Sequence, residues 1–116
     1  MTIALVILSI FLGIASAMSS MGKFTKMEQT IATLKSVGVK DSQIPVLGAL
    51  ELAGALGLLI GIWVPILGHA AAVGIALYFA GAVIAHTRAG HPFKQIIPAT
   101  VLLLVALAVV LIQIAI

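Results

Sequence analysis

Three long windows of the chain carry no charged side chain: residues 1–22, 52–87 and 95–116. A helix needs about 20 apolar residues, rising ~1.5 Å each, to cross the hydrocarbon core of a bilayer. The first and last windows are each long enough for one crossing, and the middle one, with the apolar run before it, for two. Lipid cannot satisfy free backbone N–H and C=O groups, so such windows must be helices or strands of a closed barrel. None alternates polar and apolar residues with the period of two that a barrel strand requires. The pattern predicts an all-α integral membrane protein with spans at about 2–21, 44–62, 66–85 and 95–116, and a turn over 63–68.

Composition closes off the alternatives. The 116 residues are 63% hydrophobic and 8% charged, whereas soluble domains run near ~45–50% apolar and ~25% charged. Disorder and an ordinary water-soluble globule are both excluded, and the length suits a single domain. With no cysteine, the chain can build no disulfide scaffold, iron–sulfur cluster, thiolate zinc site or thiol relay of its own.

The one clearly polar stretch, residues 22–43, holds Lys23, Lys26, Glu28, Lys35, Lys40 and Asp41. Phe24, Met27, Ile31 and Leu34 recur there at helical spacing, which predicts a short amphipathic helix over residues 25–36, lying on the membrane surface and ending near Gly38. A plain connecting loop is the alternative. Basic residues mark cytoplasmic loops. The first connection has four lysines, the third has Arg88 and Lys94, and the second has none. Connections one and three should therefore face the cytoplasm and both termini the opposite side of the cell membrane. The net charge of +3 is assigned to anionic lipid headgroups, and no nucleic-acid partner is expected. Ala15-Ser16-Ala17 has the look of a signal-peptidase site, but no basic residue precedes the apolar run, so cleavage is not expected.

Small residues permit close helix approach and mark packed faces in lipid. Ser9, Gly13, Ser16 and Ser20 form one such stripe, and Gly48, Gly54, Ala55 and Gly61 surround Glu51. Ala70, Gly74, Tyr78, Gly81 and Ala85 form a third, while the last span has little glycine and should face lipid most. These features predict an antiparallel four-helix bundle with a short interfacial helix between spans one and two. The Gly57/Gly61 GxxxG pair makes a homo-oligomer plausible.

Glu51 is the only charged residue expected inside a span. An intramembrane carboxylate costs ~2.5–3.5 kcal/mol on translocon scales and is usually functional or paired. Glu51 and Tyr78 each lie seven residues from the loop-side end of their span, so a hydrogen bond between them is geometrically possible. Lys23, His86 and Arg88 gather at the cytoplasmic rim with His91 and Lys94. Together they outline a pocket with a basic mouth and an acidic floor, which could hold a lipid headgroup, a quinone carbonyl or a small anion. Glu51, Tyr78 and His86 are the candidate catalytic residues; Lys23, Glu51 and Arg88 are the candidate ligand-binding ones. The alternative for Glu51 is a helix staple. His69 reads as interfacial, near the anchor Trp63, and no metal site is expected, although His86, His91 and Glu51 are the set that could form one.

Gly22-Lys23-Phe24, the run Gly48-Ala49-Leu50-Glu51-Leu52-Ala53-Gly54, Pro65 to Gly68, and His86-Thr87-Arg88 with Gly90 resemble the DoxX-like membrane proteins over nearly the whole chain. The resemblance implies a four-helix membrane domain with Lys23, Glu51, His86 and Arg88 at its signature positions. It also implies the roles described for that family, namely subunits of quinone-linked oxidoreductase systems and assembly factors for membrane receptors.

The leading expectation is an accessory membrane subunit with a peripheral oxidoreductase partner, no covalent cofactor, and a quinone, lipid or other lipophilic ligand near Glu51. The alternatives are an assembly or helix-docking protein, and an enzyme using Glu51 as acid or base on a lipophilic substrate. Transport is disfavoured because four helices with one acid show no inverted repeat.

Overall fold

A computed structural model describes residues 3–25 and 28–115. Five helices follow one another: α1 (Ile3–Phe24), α2 (Glu28–Ser36), α3 (Ile44–Ile60), α4 (Pro65–Arg88) and α5 (Phe93–Ala115), with a 3₁₀ turn at Asp41–Gln43 before α3. Four of these segments are long and apolar enough to cross a membrane. The long axis of the molecule is 40 Å, against ~30 Å of hydrocarbon core and ~40–45 Å with headgroups.

The helix ends follow local chemistry. Pro45 and Pro65 lie in the first turns of α3 and α4, where a missing N–H costs no hydrogen bond. Gly38 (φ 92°) and Gly90 (φ 72°) follow α2 and α4, supplying the left-handed residue on which helices commonly end. α1 runs three residues past the expected Met21, and α2 begins at Glu28 where the amphipathic pattern predicts 25. Thr25 instead continues α1, its N–H and hydroxyl both donating to the Met21 carbonyl. Lys26 and Met27, which belong to that pattern, lie outside the described residues, as do the outer ends of the first and last expected spans at Thr2 and Ile116. The turn between α3 and α4 is Gly61–Val64, earlier than expected because Pro65 starts the next helix.

Consecutive spans pack antiparallel, and α1 also touches α5 to close the bundle. Gly13 on α1 meets Ala55 and Leu59 on α3, while Gly48 meets Lys23 and Phe24, so the two helices run in opposite directions. The α1 stripe faces inward as expected: Ser9, Gly13, Ser16 and Ser20 are all buried. The Gly57/Gly61 pair packs within the chain, against Ala71 and Gly68 of α4. Where the stripe of α4 is concerned, the expectation fails. Ala70, Gly74 and Gly81 are exposed, and α4 instead buries Gly68, Ala72, Ile75, Ala76 and Phe79. Larger side chains on that second stripe fill the space between helices and make the apolar core with Leu5, Leu12, Leu58, Ala106 and Val109. α5 turns Leu104, Leu111 and Ile114 outward, in keeping with a lipid-facing span.

Candidate functional site

At the loop end of the bundle, α1 and α3 bring two opposite charges together. Gly48 has no side chain, and a Cβ there would lie 3.2 Å from Lys23 Cβ and 3.3 Å from the Phe24 ring. The last turn of α1 can therefore rest on α3. One turn further along, Glu51 receives the ammonium group: Lys23 Nζ lies 2.8 Å from Glu51 Oε1, with the side chains 8% and 0% exposed. The spacing Gly-x-x-Glu thus pairs a space for the lysine stem with an acceptor for its head.

This arrangement corrects the sequence reading of Lys23 as a rim cation outside the span. Because α1 extends through Phe24, Lys23 sits inside the bundle and neutralises the intramembrane acid. Its ammonium also lies 5.9 Å from the centroid of the Tyr78 ring, within reach of a cation–π attraction. Among the described residues no hydrogen bond joins Glu51 to Tyr78: Lys23 occupies Oε1, and the buried Oε2 has no hydrogen-bond partner. The Tyr78 hydroxyl likewise makes no hydrogen bond with the described residues.

These groups border a cavity of about 360 Å³. Ser19 and Lys23 of α1, Glu51 of α3, and Tyr78 and His86 of α4 are its polar walls below a lid formed by Thr30, Thr33 and Leu34 of α2. Phe79, Ala82, Pro98, Ala99 and Leu102 supply an apolar side. A larger cavity of about 710 Å³ also borders Lys23, framed by α2 and the exposed Lys35–Asp41 ion pair at 3.0 Å. The smaller one holds the convergent polar groups.

Four of the five expected site residues, Lys23, Glu51, Tyr78 and His86, thus meet at one cavity. Arg88 does not join them. It is exposed and borders a separate outer hollow with Ser36, Gly81 and Ala85, because two residues turn a helix by about 200° at 3.6 residues per turn. His86 Nδ1 lies 2.7 Å from His91 Nδ1, and His91 Nε2 lies 2.9 Å from Ser36 Oγ. His69 is exposed and pairs with Gln113 at 3.1 Å. Among the described residues, no three His, Cys, Asp or Glu side chains converge as a metal site.

Sequence reasoning missed Ser19, Thr30, Thr33 and the α5 wall. Thr30 and Thr33 share one helical face with Leu34, but the apolar spacing of α2 picks out Leu34 alone and gives the threonines no signal of their own.

Fold and site together define a class: a multi-pass helical membrane protein with a buried Lys–Glu pair bordering a mixed polar and apolar cavity. Within that class, residues 7–109 match the model of the DoxX-like family, and the chain belongs to that family. The match includes all five expected site residues. Comparison with curated proteins and with solved structures gives no match.

Proposed function

We propose that this protein is an accessory membrane subunit of a quinone-linked oxidoreductase system, and that the cavity beside Glu51 holds the oxygen-bearing head of a lipophilic quinone or quinol. The observation that carries this reading is Glu51 Oε2, buried at the cavity wall with no partner among the described residues. An unsatisfied buried acceptor costs ~1–3 kcal/mol, more when charged, and a ligand hydroxyl donating to it recovers that cost. The Tyr78 hydroxyl is free to donate to a carbonyl oxygen, and Phe79, Ala82, Pro98 and Leu102 suit a ring and the start of its tail. A bound quinone would supply two-electron, two-proton redox capacity. The chain's own residues orient the head and exchange its protons, and a peripheral oxidoreductase partner supplies electrons to the quinone or takes them from the quinol.

The test is calorimetric titration of the protein in lipid nanodiscs with a short-chain benzoquinol. Glu51→Gln should weaken binding by about 10- to 100-fold, the equivalent of the ~1.5–3 kcal/mol of a hydrogen bond to a charged group. No binding, or equal affinity in both proteins, overturns the proposal.

A second reading, docking of another transmembrane helix by an assembly factor or a second copy of the chain, draws on the outward face of α4. A Cβ added at Gly74 or Gly81 would meet nothing within 4 Å, leaving a small-residue face open to close approach. On that reading Glu51→Gln is without effect.

A further inference from the structure

His86 and His91 are brought together by the way α4 ends. The His91 N–H donates to the His86 carbonyl (3.2 Å) and the Gly90 N–H to the Thr87 carbonyl (3.1 Å), with Gly90 at φ 72°. This is the paired hydrogen-bond pattern of a Schellman cap, which places the residue after the glycine beside the third-last helical residue. In most helices that contact is apolar. Here it joins two imidazoles, with ring centroids 4.9 Å apart.

The proton positions follow from the outer end of the chain. Ser36 Oγ donates its single hydrogen to the Thr33 carbonyl at 2.6 Å, so it can only accept from His91 Nε2. A neutral His91 protonated on Nε2 presents a lone pair at Nδ1, and the 2.7 Å contact then requires His86 to donate from Nδ1. Neutral His86 keeps an unprotonated Nε2, which has no hydrogen-bond partner among the described residues. One end of the series, Ser36, is exposed, and the other, His86, is part of the wall of the Glu51 cavity.

We propose that His86 and His91, the outer ring held by Ser36, form a proton relay between the Glu51 cavity and the aqueous rim on the loop side of the membrane. A proton taken up at His86 Nε2 releases the Nδ1 proton to His91 Nδ1, and His91 gives up its Nε2 proton to water beside Ser36. One proton enters, one leaves, and no electron moves; the return hop or rotation of the rings restores the starting tautomers. Among the described residues, the titratable groups bordering the same cavity besides His86 are Lys23 of α1, Glu51 of α3 and Tyr78 of α4, while α2 contributes Thr30, Thr33 and Leu34 and α5 contributes Pro98, Ala99 and Leu102. The relay rests on the proposed ligand for its purpose, since a quinol head exchanges protons, but not for its geometry.

Two measurements test it. ¹⁵N-histidine spectra of the protein in lipid bilayers should show neutral His86 protonated on Nδ1, His91 on Nε2, and coupling across the shared proton. Separately, p-nitrophenol serves as a chromogenic phenol in the cavity, its deprotonation followed after a light-triggered rise in pH. His91→Gln keeps hydrogen bonding but cannot pass a proton, and His91 is not among the cavity's wall residues. It should slow deprotonation at least tenfold with nitrophenol affinity within twofold of the parent. Ser36→Ala, where water can replace the hydroxyl, should change the rate less than threefold. An unchanged rate in His91→Gln, or His86 protonated on Nε2, overturns the relay. Failure of nitrophenol to bind counts against the ligand reading, and the spectra then decide the relay alone.

Discussion

Lys23 and Glu51 are a buried ion pair, and the energetics of such pairs are asymmetric. Removing both charges in favour of packed apolar groups is often neutral or stabilising, whereas removing one strands the other and costs ~3–5 kcal/mol. Lys23→Met and Glu51→Leu should each therefore lower the melting temperature in detergent sharply, and the double variant should recover most of the loss. A double-mutant cycle read by reversible unfolding should give a coupling of several kcal/mol, given the 2.8 Å contact and the rule that touching residues are non-additive. Additive losses would mean that the pair is not formed in the folded protein. Glu51 was legible in the sequence because a lone carboxylate in an apolar run is rare. Its partner was not, because a lysine two residues past the expected end of a span looks like a topology marker until the helix is seen to continue. Tyr78 was legible by depth, since equal distances from the loop-side helix ends put it level with Glu51. Arg88 lies apart from the Glu51 cavity because closeness in sequence at a helix end is not closeness on one face.

Among the helices, what matters is which glycines are contacts and which are merely small. α3 and α4 approach backbone to backbone at Gly61 and Gly68: a Cβ on Gly61 would collide with Gly68 Cα, and one on Gly68 would lie 3.0 Å from Gly61 Cα. Gly61→Ala should force the helices apart and destabilise the bundle by about 1–3 kcal/mol, the usual cost of overpacking. Gly81→Ala, on the same sequence-level motif of small residues, meets open space and should be neutral or stabilising by up to ~1 kcal/mol through helix propensity. Thermal unfolding of the two variants side by side checks both statements, and equal losses would refute the distinction. Four spans and the α1 stripe could be read from the sequence because charge-free length and serine–glycine spacing are local properties. The inward face of α4 could not, since two stripes of small and apolar residues compete there and only the partner helices decide between them. The His86–His91 contact was legible in principle: Gly90 flanked by histidines at the third-last helical position and just beyond the glycine carries the Schellman pattern in the sequence itself.

For the whole molecule, the buried Lys23 changes the count of basic residues on which membrane orientation rests. Without it the first connection retains Lys26, Lys35 and Lys40, and the third retains Arg88 at the end of α4 and Lys94 at the start of α5. The turn at Gly61–Val64 has none, and the acids Glu28 and Asp41 weigh little, because the rule counts Lys and Arg and not net charge. The bias keeps its direction, and the antiparallel packing of four spans commits the first and third connections to one side. Lys35→Cys, Ala89→Cys and Trp63→Cys each give a chain with a single thiol, since the sequence has no cysteine, and all three positions are exposed. In intact cells a membrane-impermeant maleimide should label only Trp63→Cys, and permeabilisation should expose the other two. The opposite pattern would put the Glu51 cavity and its histidines at the outer face, and the relay would then exchange protons with the exterior. Labelling of Lys35→Cys and Ala89→Cys from different sides would contradict the antiparallel bundle itself, because α2, His91 and the cavity lid all require the two connections to meet.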